Sequence, residues 1–152
     1  MSKYLGILIN KIANQLKRKM DKEMNENYNL TKTQSLVLSY INSNKEIYQK
    51  DIEKRFSIRR STATEILNLM EKRNLIKRIP SKIDKRLNII EITEEGLKLE
   101  KIGKEKIKEL EKQMTKSLTK EEKKELIRLL EKVEQNLLER EKTYDKKINE
   151  IN

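Results

Sequence analysis

The segment IKRIPSKIDKRLNIIEIT, residues 76–93, contains the only proline of the chain, Pro80. Apolar and polar residues alternate on both sides of it, and basic residues fill the bend between the two runs. Alternation with a period of two is typical of strands. The segment therefore predicts two short antiparallel strands, over 75–79 and 87–93, joined by a turn over 80–85.

The patterns before this hairpin predict four helices. Apolar residues recur at steps of three and four through 3–26, which indicates one amphipathic helix. Thr31 is a suitable N-cap for a second helix. The segment YQKDIEKRF, residues 48–56, predicts a short third helix, and a fourth follows a turn at 57–59. The predicted inner face of the second helix consists of Leu36, Val37, Tyr40 and Ile41.

Two further helices are predicted after the hairpin. Thr93 precedes Glu94 and Glu95, which is a cap followed by acidic residues in the first turn of a helix. Thr119 and Glu122 have the spacing of a capping box, which marks the start of the last helix. Its apolar stripe consists of Leu126, Leu130, Val133, Leu137, Tyr144 and Ile148.

This order of elements predicts a mainly α fold with a small β-hairpin wing. Two short adjacent helices followed by a hairpin form a winged helix-turn-helix, which we place at 29–93. N- and C-terminal dimerisation helices, 1–28 and 94–148, flank it, and 149–152 is expected to be a frayed tail.

The composition favours a core that is shared between two chains. Only 35% of the 152 residues are hydrophobic and 40% are charged, which is little apolar material for a self-contained domain. The apolar stripes of 5–24 and 126–148 could pack together within one chain or form a bundle between subunits. The low apolar content favours the bundle, and hence a homodimer.

The net charge of +11 indicates a polyanionic partner, either nucleic acid or an anionic membrane surface. The span 54–86 holds eleven Lys or Arg against three Asp or Glu, so about a fifth of the chain has a net charge of +8. A solvated surface would distribute this charge more evenly. Its concentration on a helix-turn-helix and a hairpin favours double-stranded DNA.

The residues of this span differ in the contacts that they can make with DNA. Arginine can bond guanine in a bidentate manner, and Ser and Thr can bond base edges or phosphates. The start of the fourth helix should therefore read bases through Arg59, Arg60, Ser61, Thr62 and Thr64. The wing should bind through Lys82, Asp84, Lys85 and Arg86, with Arg86 in a neighbouring minor groove. Phosphate contacts are predicted for Thr33, Gln34, Gln49, Lys50 and Arg78.

Several classes of function are disfavoured by the residues that the sequence lacks. The chain has no Cys and no His, which removes disulfides, the commonest transition-metal ligands and His-based acid–base catalysis. We expect no cofactor and no metal site, and we rank an enzyme last. No apolar run approaches the length of a membrane span, and the N-terminus lacks the features of a signal peptide, so we expect a cytoplasmic protein.

Two motifs resemble the MarR family of bacterial transcriptional regulators. They are STATEILNLMEKRNLIKR, residues 61–78, and DKRLNIIEITEEG, residues 84–96, and the resemblance extends over nearly the whole chain. It implies that Arg86 enters the minor groove and that the fourth helix reads the major groove. It also implies a dimer built by the terminal helices and a pocket for small, frequently aromatic, anions. Tyr28 and Tyr40 are weak candidates for that pocket.

The chain departs from the family pattern at some positions. Asn74 stands where the family usually has a glycine, and Asn is the next-best residue for a left-handed helix end. The cysteine of peroxide-sensing members and the histidines of zinc-sensing members are absent. The leading hypothesis is a homodimeric regulator, most simply a repressor, on a pseudo-palindromic operator, with release by a small molecule as an option. The alternative is a non-sequence-specific basic protein of the nucleoid or of a membrane surface.

Overall fold

The computed structural model describes the backbone of residues 3–151, and the side chains in that range except those of 144, 145 and 147–151. This part of the chain forms six helices and one hairpin. The chain divides into two compact units, residues 1–110 and 111–152. The elements are α1 (Leu5–Tyr28), α2 (Lys32–Ser43), α3 (Gln49–Phe56), α4 (Arg60–Lys72), β1 (Ile76–Pro80), β2 (Asn88–Ile92), α5 (Glu94–Thr115) and α6 (Lys120–Ile151).

The three helix starts predicted from caps, at Thr31, Thr93 and Thr119, are confirmed, whereas α1 and α3 begin at Leu5 and Gln49, slightly later than predicted. Thr31 Oγ1 accepts a hydrogen bond from Gln34 N at 3.1 Å, and Gln34 Oε1 accepts one from Thr31 N at 3.0 Å. Thr119 and Glu122 form the same reciprocal pair at the start of α6. Thr93 caps α5 by accepting from Gly96 N at 3.0 Å. These bonds satisfy backbone donors that have no partner within the helix.

The hairpin forms as predicted, with its strands displaced by about one residue. β1 and β2 are antiparallel, from the pair Ile76–Ile92 to the pair Pro80–Asn88. Pro80 thus closes the ladder instead of opening the turn, because a terminal position does not require its missing N–H. Ile90 N also donates to Ile47 O at 2.7 Å, so an isolated bridge extends the small sheet.

The end of α4 confirms the expectation for Asn74. Its φ is 55°, in the left-handed region. Asn74 N donates to Glu71 O, and Leu75 N donates to Met70 O, both at 2.9 Å. This is the Schellman arrangement, which reverses the chain direction between α4 and β1.

The strain at Asn74 should be visible in the stability of the protein. We expect Asn74→Ala to lower the free energy of unfolding by about 1 kcal/mol, because alanine tolerates a positive φ less well than asparagine. Asn74→Gly should leave the stability equal or slightly higher. Urea denaturation followed by circular dichroism measures both changes, and equal destabilisation by the two substitutions would contradict the left-handed conformation.

The core of the first unit joins α1, α2, α3, α4 and the hairpin. On α2 the prediction was right for Val37 and Ile41, but Leu38 is fully buried, whereas Leu36 and Tyr40 are half-buried. The buried face of α2 thus differs from the predicted one, because the helix contacts both α1 and β2. The buried apolar side chains are Met20, Met24, Leu30, Val37, Leu38, Ile41, Ile47, Ile52, Ala63, Leu67, Met70, Leu75, Ile76 and Ile90.

Two glycines allow α5 to approach its neighbours closely. A Cβ added at Gly96 would fall on the carbonyl oxygen of Leu75 and within 2.8 Å of Ile92 Cγ1. A Cβ at Gly103 would lie 2.8 Å from the Oγ of Ser35, which is the movable end of a side chain. The two contacts fix the first half of α5 against α2 and against the start of the hairpin.

The second unit is a helical hairpin with little apolar burial of its own. Lys123 Nζ lies 2.7 Å from Glu111 Oε1 across it. None of the described side chains of α6 is buried, and Leu126, Leu130 and Leu137 are all more than 40% exposed. The side chains of the predicted stripe members Tyr144 and Ile148 lie outside the described residues, and the frayed tail at 149–152 stays a prediction. None of the described helices combines the length and the apolar character of a membrane span.

Candidate nucleic-acid interface

A cleft of ≈ 540 Å³ lies between the start of α3, the start of α4 and the hairpin. Residues from all three predicted groups line it, although they are far apart in the sequence. The fold therefore brings the recognition helix and the wing to one concave surface. The predicted contact residues in the cleft are Gln49, Lys50, Arg60, Thr64, Arg78 and Arg86.

Gln49 connects α3 to the recognition helix. Its Nε2 donates to Thr64 Oγ1 at 2.8 Å, to Arg60 O at 3.3 Å and to Glu53 Oε1 at 3.2 Å. The amide group predicted to contact phosphate is thus engaged in holding Thr64. The Thr64 hydroxyl acts as the acceptor in this bond, and a hydroxyl can also donate.

The start of α4 is suited to bind an anion. Arg59, Arg60, Ser61 and Thr62 are exposed there, and Thr64 is half-buried. The first turn contains no acidic residue, and Arg59, at the N-cap position, makes no side-chain capping bond. The first turn of α4 therefore supplies no carboxylate to neutralise the positive end of the helix dipole, which favours an anion such as phosphate.

Arg78, for which a phosphate contact is predicted, ties the hairpin to α4. Its guanidinium pairs with the carboxylate of Glu71 and donates to Asn68 Oδ1 at 3.0 Å. The side chain is only 20% exposed. Both partners lie on α4, so this bridge connects the hairpin directly to that helix.

Replacing Arg78 with methionine, which keeps an unbranched chain, should loosen the wing from α4. We expect a decrease in DNA affinity of about tenfold, together with faster amide hydrogen exchange in β1 and β2. If Arg78 acted only on phosphate, affinity would fall and the exchange rates would stay unchanged. Hydrogen exchange of the free protein, followed by mass spectrometry, separates the two roles.

At the wing tip, Asp84 holds Arg86 in a forked ion pair. Arg86 Nε donates to Asp84 Oδ1 at 3.0 Å, and Nη2 donates to Oδ2 at 2.9 Å. Arg86 N also donates to Oδ1 at 3.0 Å. The presence of a carboxylate in the loop predicted to contact DNA is thus explained, because it braces an arginine whose side chain is 89% exposed. Lys82 and Lys85 are exposed on the same tip.

The brace changes the acidity of both groups. The hydrogen bonds from Arg86 lower the pKa of Asp84 below its ordinary value of 3.8, and the same pair raises the pKa of Arg86. Because the pKa of Asp84 is lower in the folded protein, its ionised form stabilises the wing at any pH above the ordinary pKa. This stabilisation is lost as the pH falls through the pKa of the folded state. The brace is consequently intact throughout the neutral range.

We therefore expect the DNA affinity of the protein to be nearly constant between about pH 5.5 and pH 8.5. The ion pair at the wing tip does not titrate there, and the chain has no histidine. Fluorescence anisotropy at fixed ionic strength measures the profile. A change of tenfold or more across this range (about one logarithmic unit) would show that another group controls binding.

Ser81 organises the backbone of the wing tip, and its role was not predicted. The residue is only 2% exposed, and its Oγ lies 3.1 Å from the hydroxyl of Tyr48. The same Oγ accepts from Ile83 N at 3.2 Å. Ser81 N donates to Leu87 O at 2.8 Å, which closes the loop. A serine directly after Pro80 was the one available signal, because Ser is common in tight turns.

The sequence also gave no indication of the acidic residues in the cleft. Asp51 and Glu53 line it, yet both carboxylates are engaged. Asp51 Oδ2 accepts from Tyr48 N at 2.8 Å, and Glu53 accepts from Gln49. They therefore order the start of α3 and lower the positive charge of the cleft only in part.

Several predicted residues are not among those that line the cleft. Gln34 is 7% exposed and caps α2, so a phosphate contact from it is not supported. Tyr40 lines a separate concavity of ≈ 420 Å³, with Phe56 edge-on at 6.0 Å and the Arg55 guanidinium 6.0 Å above its ring. Tyr28 is not among the residues that line it, and its carbonyl accepts from Arg73.

Thr33 is half-buried in the first turn of α2 and is not part of the cleft lining. Among the described residues, no group of three or more His, Cys, Asp or Glu could hold a metal ion.

Comparisons with known proteins agree with this geometry. The sequence profile of the MarR family matches residues 28–87. The transcription regulator MarR from Oenococcus oeni PSU-1 is 36% identical, with 90% of this chain and 99% of that chain covered and a TM-score of 0.74. S. aureus MepR in a DNA complex is 25% identical, with 88% and 96% covered and a TM-score of 0.81. No curated protein matches the sequence significantly.

The helix pair, the hairpin and the cleft between them define a winged helix-turn-helix protein of the transcriptional-regulator class. The 36% sequence identity over nearly the full length of the Oenococcus oeni regulator identifies the family within this class. The chain belongs to the MarR family.

Proposed function

We propose that the protein is a homodimeric repressor that binds a pseudo-palindromic operator in the cytoplasm and blocks transcription. The observation that supports this most directly is the cleft in which α3, α4 and the wing converge. There the recognition helix presents Arg60 and Thr64 while the braced Arg86 extends from the tip. One helix and one wing can contact two neighbouring grooves. MepR, a structural relative, is seen bound to DNA.

The exposed apolar stripes support the dimer. Leu5, Leu8 and Ile12 on α1 are exposed by 40% or more, and so are the leucines of the α6 stripe. Stripes of this width on a water-soluble helix normally face a partner. A second copy of the chain would bury them and would place two recognition helices about one DNA turn apart.

Leu130→Glu should convert the dimer to a monomer at micromolar concentration, because it places a charge in the apolar stripe of α6. Gln135→Glu introduces the same charge on the opposite side of that helix and should leave the dimer intact. Analytical ultracentrifugation measures both variants. A monomeric wild-type protein, or a dimer in both variants, would contradict this interface.

Sequence-specific binding is tested with the DNA upstream of the protein's own gene and with a scrambled duplex of equal length. Fluorescence anisotropy across a salt series should give an affinity for the native duplex at least about a thousandfold higher. Equal affinities that fall steeply together with salt would instead favour a non-specific basic protein. Selection from a random duplex library by the wild-type protein then identifies the preferred site.

The concavity around Tyr40 is the candidate site for an effector that releases DNA. Arg55 above the ring could pair with a carboxylate, and Tyr40 and Phe56 offer aromatic surfaces. A panel of small aromatic acids should raise the melting temperature of the wild-type protein and not that of Arg55→Met. If no acid discriminates between the two proteins, the effector site lies elsewhere or does not exist.

A further inference from the structure

Ile83 differs from its neighbours at the wing tip because it is uncharged and almost fully exposed. Its exposed fraction is 85%, the highest among the large hydrophobic residues of the described chain. It stands between Lys82 and Asp84, on a tip that also carries Lys85 and Arg86. A branched apolar side chain at such a position does not stabilise the hairpin by burial.

The backbone that carries Ile83 is nevertheless fixed. Ser81 Oγ accepts from Ile83 N and, at 3.5 Å, from Asp84 N. The bond from Leu87 N to Asp84 O at 2.9 Å closes the other side of the tip. Ile83 is thus presented in a defined place before any partner binds, which lowers the entropy cost of a contact.

Ile83 and Arg86 lie on different sides of the hairpin. Arg86 lines the cleft beside the recognition helix, whereas Ile83 lines a second concavity together with Ile79 and Ile89. A tip that enters a minor groove would therefore place the two side chains over different base pairs. The effect of Ile83 can be separated from that of Arg86.

The floor of the minor groove distinguishes base pairs by one group. A·T pairs present only acceptors, whereas G·C pairs add the guanine N2 amino donor. An aliphatic side chain against that amino group removes its water and offers no acceptor, which is unfavourable. Against an A·T pair the same side chain has close van der Waals contact without an unpaired donor.

We propose that Ile83 is a specificity-determining residue that excludes G·C pairs from the minor groove beneath the wing tip. The inference rests on the proposed function and adds a selection rule that neither Arg86 nor the recognition helix supplies. Because Lys82 and Lys85 would neutralise phosphate whatever the sequence, Ile83 would add a preference on its side of the tip to the one that Arg86 supplies on the other.

The test uses the duplex that the wild-type protein selects, with the pair beneath the tip located by hydroxyl-radical footprinting. Four versions of that pair are compared by anisotropy: A·T, inosine·C, G·C and 2,6-diaminopurine·T. Inosine·C lacks the minor-groove amino group, and diaminopurine·T adds it to an A·T-like pair. The wild-type protein should bind the first two about fivefold or more tighter than the last two.

Ile83→Asn supplies an acceptor and should reduce this ratio to about twofold or less. Lys82→Ala is the matched control: it should weaken all four duplexes equally and lower the salt slope by about one, with the ratio unchanged. Circular dichroism checks that both variants are folded. If Ile83→Asn keeps the wild-type ratio while a specific site exists, the inference is wrong and the proposed function stands. If the duplexes selected from the library have no sequence in common, both the inference about Ile83 and the proposed function are wrong.

Discussion

Alanine at position 86 should lower the affinity for the specific duplex by about 30-fold for each wing that contacts DNA. The Arg86 side chain is 89% exposed and has a fixed direction, because Asp84 accepts two hydrogen bonds from its guanidinium and one from its backbone N. The loss should be larger on the selected duplex than on a scrambled one. Anisotropy titrations with both duplexes at several salt concentrations provide the measurement.

Three control variants separate the effect of the Arg86 charge from the effect of its orientation. Arg86→Lys keeps the charge and loses the fork, so it should retain non-specific affinity but lose most of the preference. Asp84→Asn should leave the charge of Arg86 and weaken its orientation, with a smaller loss of preference. Arg140→Ala removes the same charge from α6 and should change neither the non-specific affinity nor the sequence preference. A uniform loss across duplexes for Arg86→Ala would mean that the wing only neutralises phosphate.

The second large effect is expected from Gly96→Ala, which should reduce the free energy of unfolding by about 3 kcal/mol. A methyl group at this position would meet the Leu75 carbonyl and Ile92 Cγ1, and the backbone oxygen cannot rotate away. For a chain of this length the melting temperature should decrease by about 6–12 °C. Thermal unfolding at a fixed protein concentration is the measurement, because any dimer couples stability to concentration.

The other two glycines are natural controls for this substitution. Gly6 has nothing within 4 Å of an added Cβ, so Gly6→Ala should stabilise α1 slightly, by up to about 1 kcal/mol. At Gly103 the added group would meet the Oγ and the Cβ of Ser35, at 2.8 and 3.0 Å, and only the hydroxyl can rotate away, so the effect should lie between the other two. If the Gly96→Ala and Gly6→Ala variants have the same melting temperature, α5 does not pack closely on the start of the hairpin.

Features governed by nearby residues could be predicted from the sequence. The caps at Thr31, Thr93 and Thr119 each involve partners three residues away, and the left-handed Asn74 follows from the end of a single helix. The hairpin was evident from its alternation. These features depend on local backbone geometry, which short sequence patterns report directly.

Pairings between distant side chains could not be predicted. Tyr48 and Ser81 are 33 positions apart, and only the folded chain brings their hydroxyls together. Arg78 was predicted to contact phosphate because a cation near DNA is a reasonable candidate, but its partners Asn68 and Glu71 lie on another element. The capping role of Gln34 was overlooked for a different reason, because its partner Thr31 is only three residues away and the capping-box spacing was visible in the sequence. A polar residue type does not reveal whether a side chain is engaged internally.

The bonds of Gln49, Arg78 and Ser81 have a consequence for how such a regulator can change over generations. They hold the scaffold from behind, whereas Ser61 and Thr62 are exposed at the front of α4. A duplicated gene could therefore acquire substitutions at these two positions and drift toward a new target sequence while the frame remains intact. The stability of the frame and the predicted binding preference thereby depend on different residues, so the predicted reading surface is a module that engineering could retarget.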